Sequence, residues 1–193
     1  MATKRRILEA AFQAIHRNGF QAAGLNDILA ETGLTKGALY HHFPSKMALG
    51  YAVIDGPVRD YVEDWWLKPL EGADDPLEGL AKIIRSRLRR DVPAMLKLGC
   101  PLNNLAQEMA PVDEGFRQRI ETLYREWRRG LARALRHGQH SGTVDTGIEV
   151  DATAAFIIAA LQGAFSQAKN AQDLEVFREC LKGLNEYLNH LRP

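Results

Sequence analysis

At 193 residues the chain can form one or two domains with a real hydrophobic core, and its make-up, 46% hydrophobic and 25% charged, is that of a soluble globular protein. A net charge of +1 argues against a chain-wide polyanion binder, yet the charge is uneven: residues 1–46 carry +3 and the rest −2, which points to a nucleic-acid-facing N-terminal part. Two cysteines make no disulfide framework at this length, no signal-peptide core follows Lys4-Arg5-Arg6, and the most apolar run, residues 152–168, is broken by Thr153, Gln162, Ser166 and Gln167. A cytoplasmic protein without membrane contact is therefore expected.

The chain then reads as helix from end to end. Ile7, Leu8, Ala11, Phe12 and Ile15 share one helical face, with Thr3 as the expected N-cap and Gly19 as the stop. Leu25, Ile28 and Leu29 mark a short second helix ending at Gly33. A third starts at Thr35, an N-cap type, and ends before Pro44. A fourth opens at Ser45 and runs to about Leu70, with Pro57 as an expected kink. Residues 71–76 form a loop, a helix follows from about Leu77, and the chain breaks near Leu98-Gly99-Cys100-Pro101. A short helix reaches Ala110. A long, arginine-rich helix spans about 113–138, and residues 140–147 form a polar loop. Residues 151–168 are apolar nearly all round and so must be buried on several sides, whereas 173–191 show a single apolar stripe.

Within this order, residues 26–43 form two short helices joined by a tight turn at Gly33, packed through Ile28, Leu29, Leu34 and Leu39. That is a helix-turn-helix, whose second helix enters the DNA major groove. Gly37 in the first turn of that helix costs about 1 kcal/mol against alanine, which hints at a close approach by another surface. Lys36 and Ala38 are placed for base edges. Tyr40, His41 and His42 can reach phosphate oxygens, and Lys46 opens the next helix, whose free N–H groups attract anions.

The stretch ILEAAFQAIHRNGFQAAGLNDILAETGLTKGALYHHFPSKMAL closely resembles the DNA-binding region of the TetR family of transcription repressors. The resemblance implies an all-α homodimer, with a three-helix DNA-binding domain at 1–46 and a larger effector-binding and dimerisation domain at 47–193. It implies double-stranded, palindromic operator DNA and a small-molecule effector as partners, and dimerisation through the last two helices. Carried over, Thr35, Lys36, Gly37, Ala38, Tyr40, His41 and Lys46 look like the DNA contacts. The pattern departs at Ala23-Gly24, where the family often has a threonine and a second hydroxyl residue; Asn26 is expected to cap the second helix instead. The runs LGCPLNNLAQEMAPVDEGFRQRI and LQGAFSQAK resemble a subgroup of which some members respond to reactive electrophiles or oxidants and others to small organic molecules.

In the larger part, Pro101 suits a first helical position, which makes Cys100 the N-cap and favours its thiolate; the competing reading is a small buried residue with no chemistry, since free cysteine is commonly buried. Lys169 would lie nearby if the subgroup resemblance holds. Trp65, Trp66, Met95, Met109, Phe116, Tyr124, Trp127, Phe156 and Phe165 are the candidate lining of an effector pocket, although each alone is more often ordinary core. His137 and His140 lack cysteine or carboxylate partners for a metal, and no cofactor is expected. No nucleophile elbow, phosphate loop or zinc-protease motif is present, so an enzyme is not expected. The competing reading is a helical adaptor that binds only protein, against which the basic N-terminal part argues.

Overall fold

The computed structural model describes residues 2–90 and 96–193, all helix and connecting turns with no strand among them. Ten α-helices can be numbered along the described chain: α1 Ala2–Asn18, α2 Leu25–Thr32, α3 Lys36–His42, α4 Lys46–Val53, α5 Arg59–Val62, α6 Pro76–Arg90, α7 Pro101–Met109, α8 Glu114–His140, α9 Val150–Ala171 and α10 Leu174–Asn189. The expected long fourth helix is α4 and α5 interleaved with π-helical turns at Ile54–Val58 and Glu63–Leu67, then a 3₁₀ turn at Lys68–Leu70. Pro57 sits inside the first π turn, which absorbs the amide hydrogen bond that proline cannot donate. Thr3 falls inside α1 rather than capping it, because the helix already begins at Ala2. Gly19 does stop α1: its φ is +82° and its N–H donates to Ile15 O at 2.8 Å.

The contacts divide the chain into two compact units, Met1–Tyr61 with Pro101–Leu123, and Val62–Cys100 with Tyr124–Pro193. In the first, α1 packs on α2, α3 and α4 through the buried side chains Ile7, Ala11, Phe20, Ile28, Leu39 and Leu49. Gly50 is where α4 closes on its neighbours: a Cβ there would lie 2.5 Å from the Phe20 ring and 2.6 Å from the Phe116 ring. In the second, α9 packs along α10, and α10 also meets α6. Its core includes Trp66, Trp127, Ile157, Leu161, Phe165, Phe177 and Leu184. Arg192 closes this unit by donating to the Asp75 carboxylate at 2.9 Å.

Candidate nucleic-acid interface and effector region

The α2–α3 turn is fixed by local chemistry. Gly33 takes a left-handed φ of +63°, open to glycine at little cost, and donates its N–H to Leu29 O at 2.9 Å. The buried Thr32 hydroxyl donates to the same carbonyl at 2.9 Å and accepts from Leu34 N at 3.3 Å. Thr35 then starts α3, its hydroxyl accepting from Ala38 N at 3.2 Å. From α1, the Arg6 guanidinium donates to Thr32 O at 2.7 Å, and the Lys4 ammonium lies 5.8 Å from the Phe43 ring centroid. Leu39 buries one side of α3, so its other side faces outward.

Thr35, Lys36, Gly37, Tyr40 and His41 lie on that outward side and are exposed; Ala38 and His42 are half-buried. Tyr40 is 48% exposed, unusual for so large a ring. A Cβ on Gly37 would meet only the Thr35 hydroxyl, at 3.8 Å, and φ there is ordinary. Packing within this chain therefore gives no reason for the glycine. Lys46 is tied down: its ammonium donates to Gln21 O at 2.9 Å and lies 5.0 Å from the Phe20 ring centroid, with further donors left on the nitrogen. The cap expected at Asn26 falls instead on Gly24, whose backbone is extended (φ −76°, ψ 140°), and Asn26 is inside α2. A Cβ on Gly24 would lie 2.7 Å from the Asp27 carboxylate, so the side chain that crowds this helix start is Asp27.

With this geometry stand the relatives. A family profile described as "Bacterial regulatory proteins, tetR family" matches residues 7–53, and one described as "Tetracyclin repressor-like, C-terminal domain" matches 76–184. The chain belongs to the TetR family. An uncharacterised HTH-type transcriptional regulator of the lacX 3′ region in Lactococcus lactis subsp. lactis is 32% identical over 175 residues, spanning 90% of this chain and 87% of its own. The HTH-type transcriptional repressor DhaR of Mycobacterium sp. (strain GP1) is 23% identical over 90% of this chain and 87% of its own. A TetR transcriptional regulator from Chloroflexus aurantiacus J-10-FL superposes with a TM-score of 0.83 at 26% identity, covering 97% of this chain and 94% of that one. As a TetR-family member the protein is a DNA-binding transcriptional regulator, from a family that binds operator DNA and functions as dimers.

In this TetR-family chain the helix-turn-helix is braced by a residue far away in sequence. Glu108, at the end of α7, accepts hydrogen bonds from the backbone N–H groups of Phe20 and Gln21, at 2.8 Å each. Gly19 lets the carboxylate come close: a Cβ at that position would be 3.0 Å from both oxygens. Below it, Tyr51 donates to Asp113 at 2.8 Å, and Asp113 also accepts from Phe116 N at 2.8 Å, capping α8. Arg119 stacks over Tyr51 at 4.2 Å and donates to Asp55 at 3.1 Å. The Tyr51 hydroxyl titrates above its ordinary range, chiefly because its proton is held by Asp113.

The candidate effector residues separate. The second unit contains a run of aromatic contacts: Tyr124 stacks on Trp127 (6.4 Å), Trp127 meets Trp66 (5.5 Å), Trp66 meets Phe165 edge-on (6.4 Å), and Phe165 meets Phe177 (5.2 Å). Burial pushes the Tyr124 hydroxyl well up, the neighbouring Cys100 adds to this, and Arg128 opposes both. Cys100 is buried directly before Pro101, the first residue of α7. Lys169 is in the last turn of α9, where the Gln172 amide donates both to Lys169 O (2.6 Å) and to Leu96 O (2.8 Å). That bridge draws the segment leading to Cys100 toward the Lys169 end of α9. Trp65 is half-buried beside Trp66, and it is Trp66 whose ring the contacts place in the run. Met109 is buried in the first unit, where Phe116 packs on Phe20 and Tyr51. Phe156 is 52% exposed and packs against Tyr187 at a tilted 60°, so it lines no interior. Met95 lies outside the described residues. Among the described residues, no group of three metal-ligating side chains occurs, and no helix is long and apolar enough to cross a membrane.

Proposed function

We propose that the protein is a cytoplasmic repressor that binds a palindromic operator as a homodimer through α3, and that a small organic effector held by the second unit releases it. The observation that carries the DNA reading is Gly37. It weakens a seven-residue helix by about 1 kcal/mol against alanine, and nothing inside the chain fills the space above it. Close approach by the DNA is the remaining reason. Lys36 reads a base edge beside it, Ala38 borders the contact, and Thr35, Tyr40, His41 and His42 hold phosphates, with Lys46 supporting at the start of α4. Residues 1–46 are the DNA-reading part, and 47–193 serve the effector and the dimer.

The dimer forms on the outward stripe of α9, where Ala152, Phe156 and Ala159 are exposed and a Cβ on Gly163 would meet nothing. The small residues Ala152, Ala159 and Gly163 let a partner helix approach closely, and Phe156 offers it an apolar ring. For the effector, the aromatic run supplies Trp127, Tyr124, Phe165 and Trp66, with Trp65 as a further candidate. Cys100 at the start of α7 is the group that a reactive electrophile would modify, with Lys169 as its candidate charged neighbour.

The test is a gel shift of the full-length protein on its own promoter region, titrated with salt. Lys36→Ala should weaken specific binding by about 1–3 kcal/mol and relax base selectivity. Unchanged affinity and selectivity would remove α3 from the groove. In the same assay N-ethylmaleimide should release wild type and spare Cys100→Ser; equal release of both would leave Cys100 as packing.

A further inference from the structure

Gln162 sits in the middle of α9, 7% exposed, and both its carboxamide oxygen and nitrogen are buried with no hydrogen-bond partner among the described residues. Its surroundings in sequence are apolar and buried: Ile157, Ile158, Leu161, Ala164 and Phe165. A buried carboxamide without partners leaves two donors and an acceptor unsatisfied, which folded proteins tolerate rarely and with a reason. Leucine would fill the same volume without that penalty. By contrast the buried hydroxyl of Thr32 is bonded to Leu29 O.

The side chain does not wait for a second subunit. The outward stripe of α9 is Ala152, Phe156, Ala159 and Ser166, whereas Gln162 is covered by its own chain. One turn further on, Phe165 joins the aromatic run through Trp66 to Trp127. Gln162 thus puts one neutral, buried donor–acceptor pair on the helix turn next to the Phe165 end of the aromatic run, and one polar group among apolar side chains is the composition of a site that orients an apolar molecule.

We infer that Gln162 is the hydrogen-bonding anchor of the effector site, and that the effector is a neutral molecule with an aromatic or apolar body and an amide-like group, a carbonyl acceptor beside an N–H donor. This rests on the effector-release reading above. A charged group is disfavoured because a carboxamide carries no charge to offset the desolvation of an ion.

All three tryptophans, Trp65, Trp66 and Trp127, belong to the second unit, so intrinsic fluorescence reports on it alone. The experiment titrates the full-length protein and Gln162→Leu with benzamide, benzoate and toluene. Benzamide should bind wild type saturably and Gln162→Leu at least tenfold more weakly, benzoate should bind wild type at least tenfold more weakly than benzamide, and toluene should bind the variant no worse than wild type. Without ligand, Gln162→Leu should melt no lower than wild type, since it removes an unsatisfied group. Absent benzamide binding, a loss below tenfold in the variant, benzoate within tenfold of benzamide, toluene binding the variant less well than wild type, or a lowered melting temperature would each overturn the inference. Benzamide binding that depends on Gln162 but leaves the operator complex intact would uphold the site and sink the release reading. Release of the operator by a thiol reagent together with no benzamide binding would do the opposite.

Discussion

Glu108→Ala removes the carboxylate that accepts from Phe20 N and Gln21 N, 2.8 Å each, and leaves the turn after α1 held by its neighbours alone. A hydrogen bond to a charged group contributes about 1.5–3 kcal/mol net. The Gln21 bond is exposed and the Phe20 bond part-buried, so water can replace much of the first and some of the second. A total loss of about 2 kcal/mol is expected, mostly from the Phe20 bond. For a chain of this length that lowers the melting temperature by about 4–8 °C. Glu108→Gln keeps one acceptor but turns an NH₂ toward the other N–H, so it should fall between wild type and alanine. Thermal unfolding followed by circular dichroism, with urea titration for the free energy, measures both. An alanine variant melting within 1 °C of wild type, or a glutamine variant less stable than alanine, would refute the reasoning that Glu108 holds the turn through two charged hydrogen bonds.

Gly50→Ala should destabilise by about 1–3 kcal/mol in urea, because the new methyl would sit 2.5 Å from the Phe20 ring and 2.6 Å from the Phe116 ring, both buried. Ala159→Arg, on the outward stripe of α9, should yield monomers by sedimentation and poor operator binding; a dimer of unchanged strength would place the interface elsewhere. Burial pushes the Asp75 carboxyl up, but hydrogen bonds from Glu78 N–H and the Arg192 guanidinium outweigh it and hold the group below its ordinary range. Its contribution is therefore fully present above the unfolded carboxyl pKa of about 3.9 and is lost as pH falls through the lower folded value. Asp75→Asn should be less stable than wild type at pH 7 and show a flatter loss below about pH 4 in acid unfolding.

Local chemistry was legible in the residues themselves. Apolar spacing along α1, α9 and α10 reads as helix because 3.6-residue periodicity is a property of neighbours in sequence. Thr35 and Ser45 cap α3 and α4 within three residues of themselves, at 3.2 and 3.0 Å, and Gly33 turns the chain with its own φ. The helix-turn-helix and its outward residues Lys36, Gly37 and Tyr40 follow from such short-range rules. Asn26 shows their limit, since Gly24 and Asn26 compete for one cap and the extended backbone of Gly24 decides.

Interactions between distant residues needed the fold. Glu108 meets the turn after α1 across 87 and 88 residues of sequence, and no pattern near either end announces it. Phe116, Phe156 and Phe165 have similar chemistry in the sequence, yet one packs on Phe20, one faces outward against Tyr187 and one joins Trp66. Gln162 read as an interruption of an apolar run, and only its burial without a partner gives it meaning. A side chain's neighbours in sequence set its helix and face, but what lies opposite that face is set by packing between elements, and there the functional differences among like residues arise.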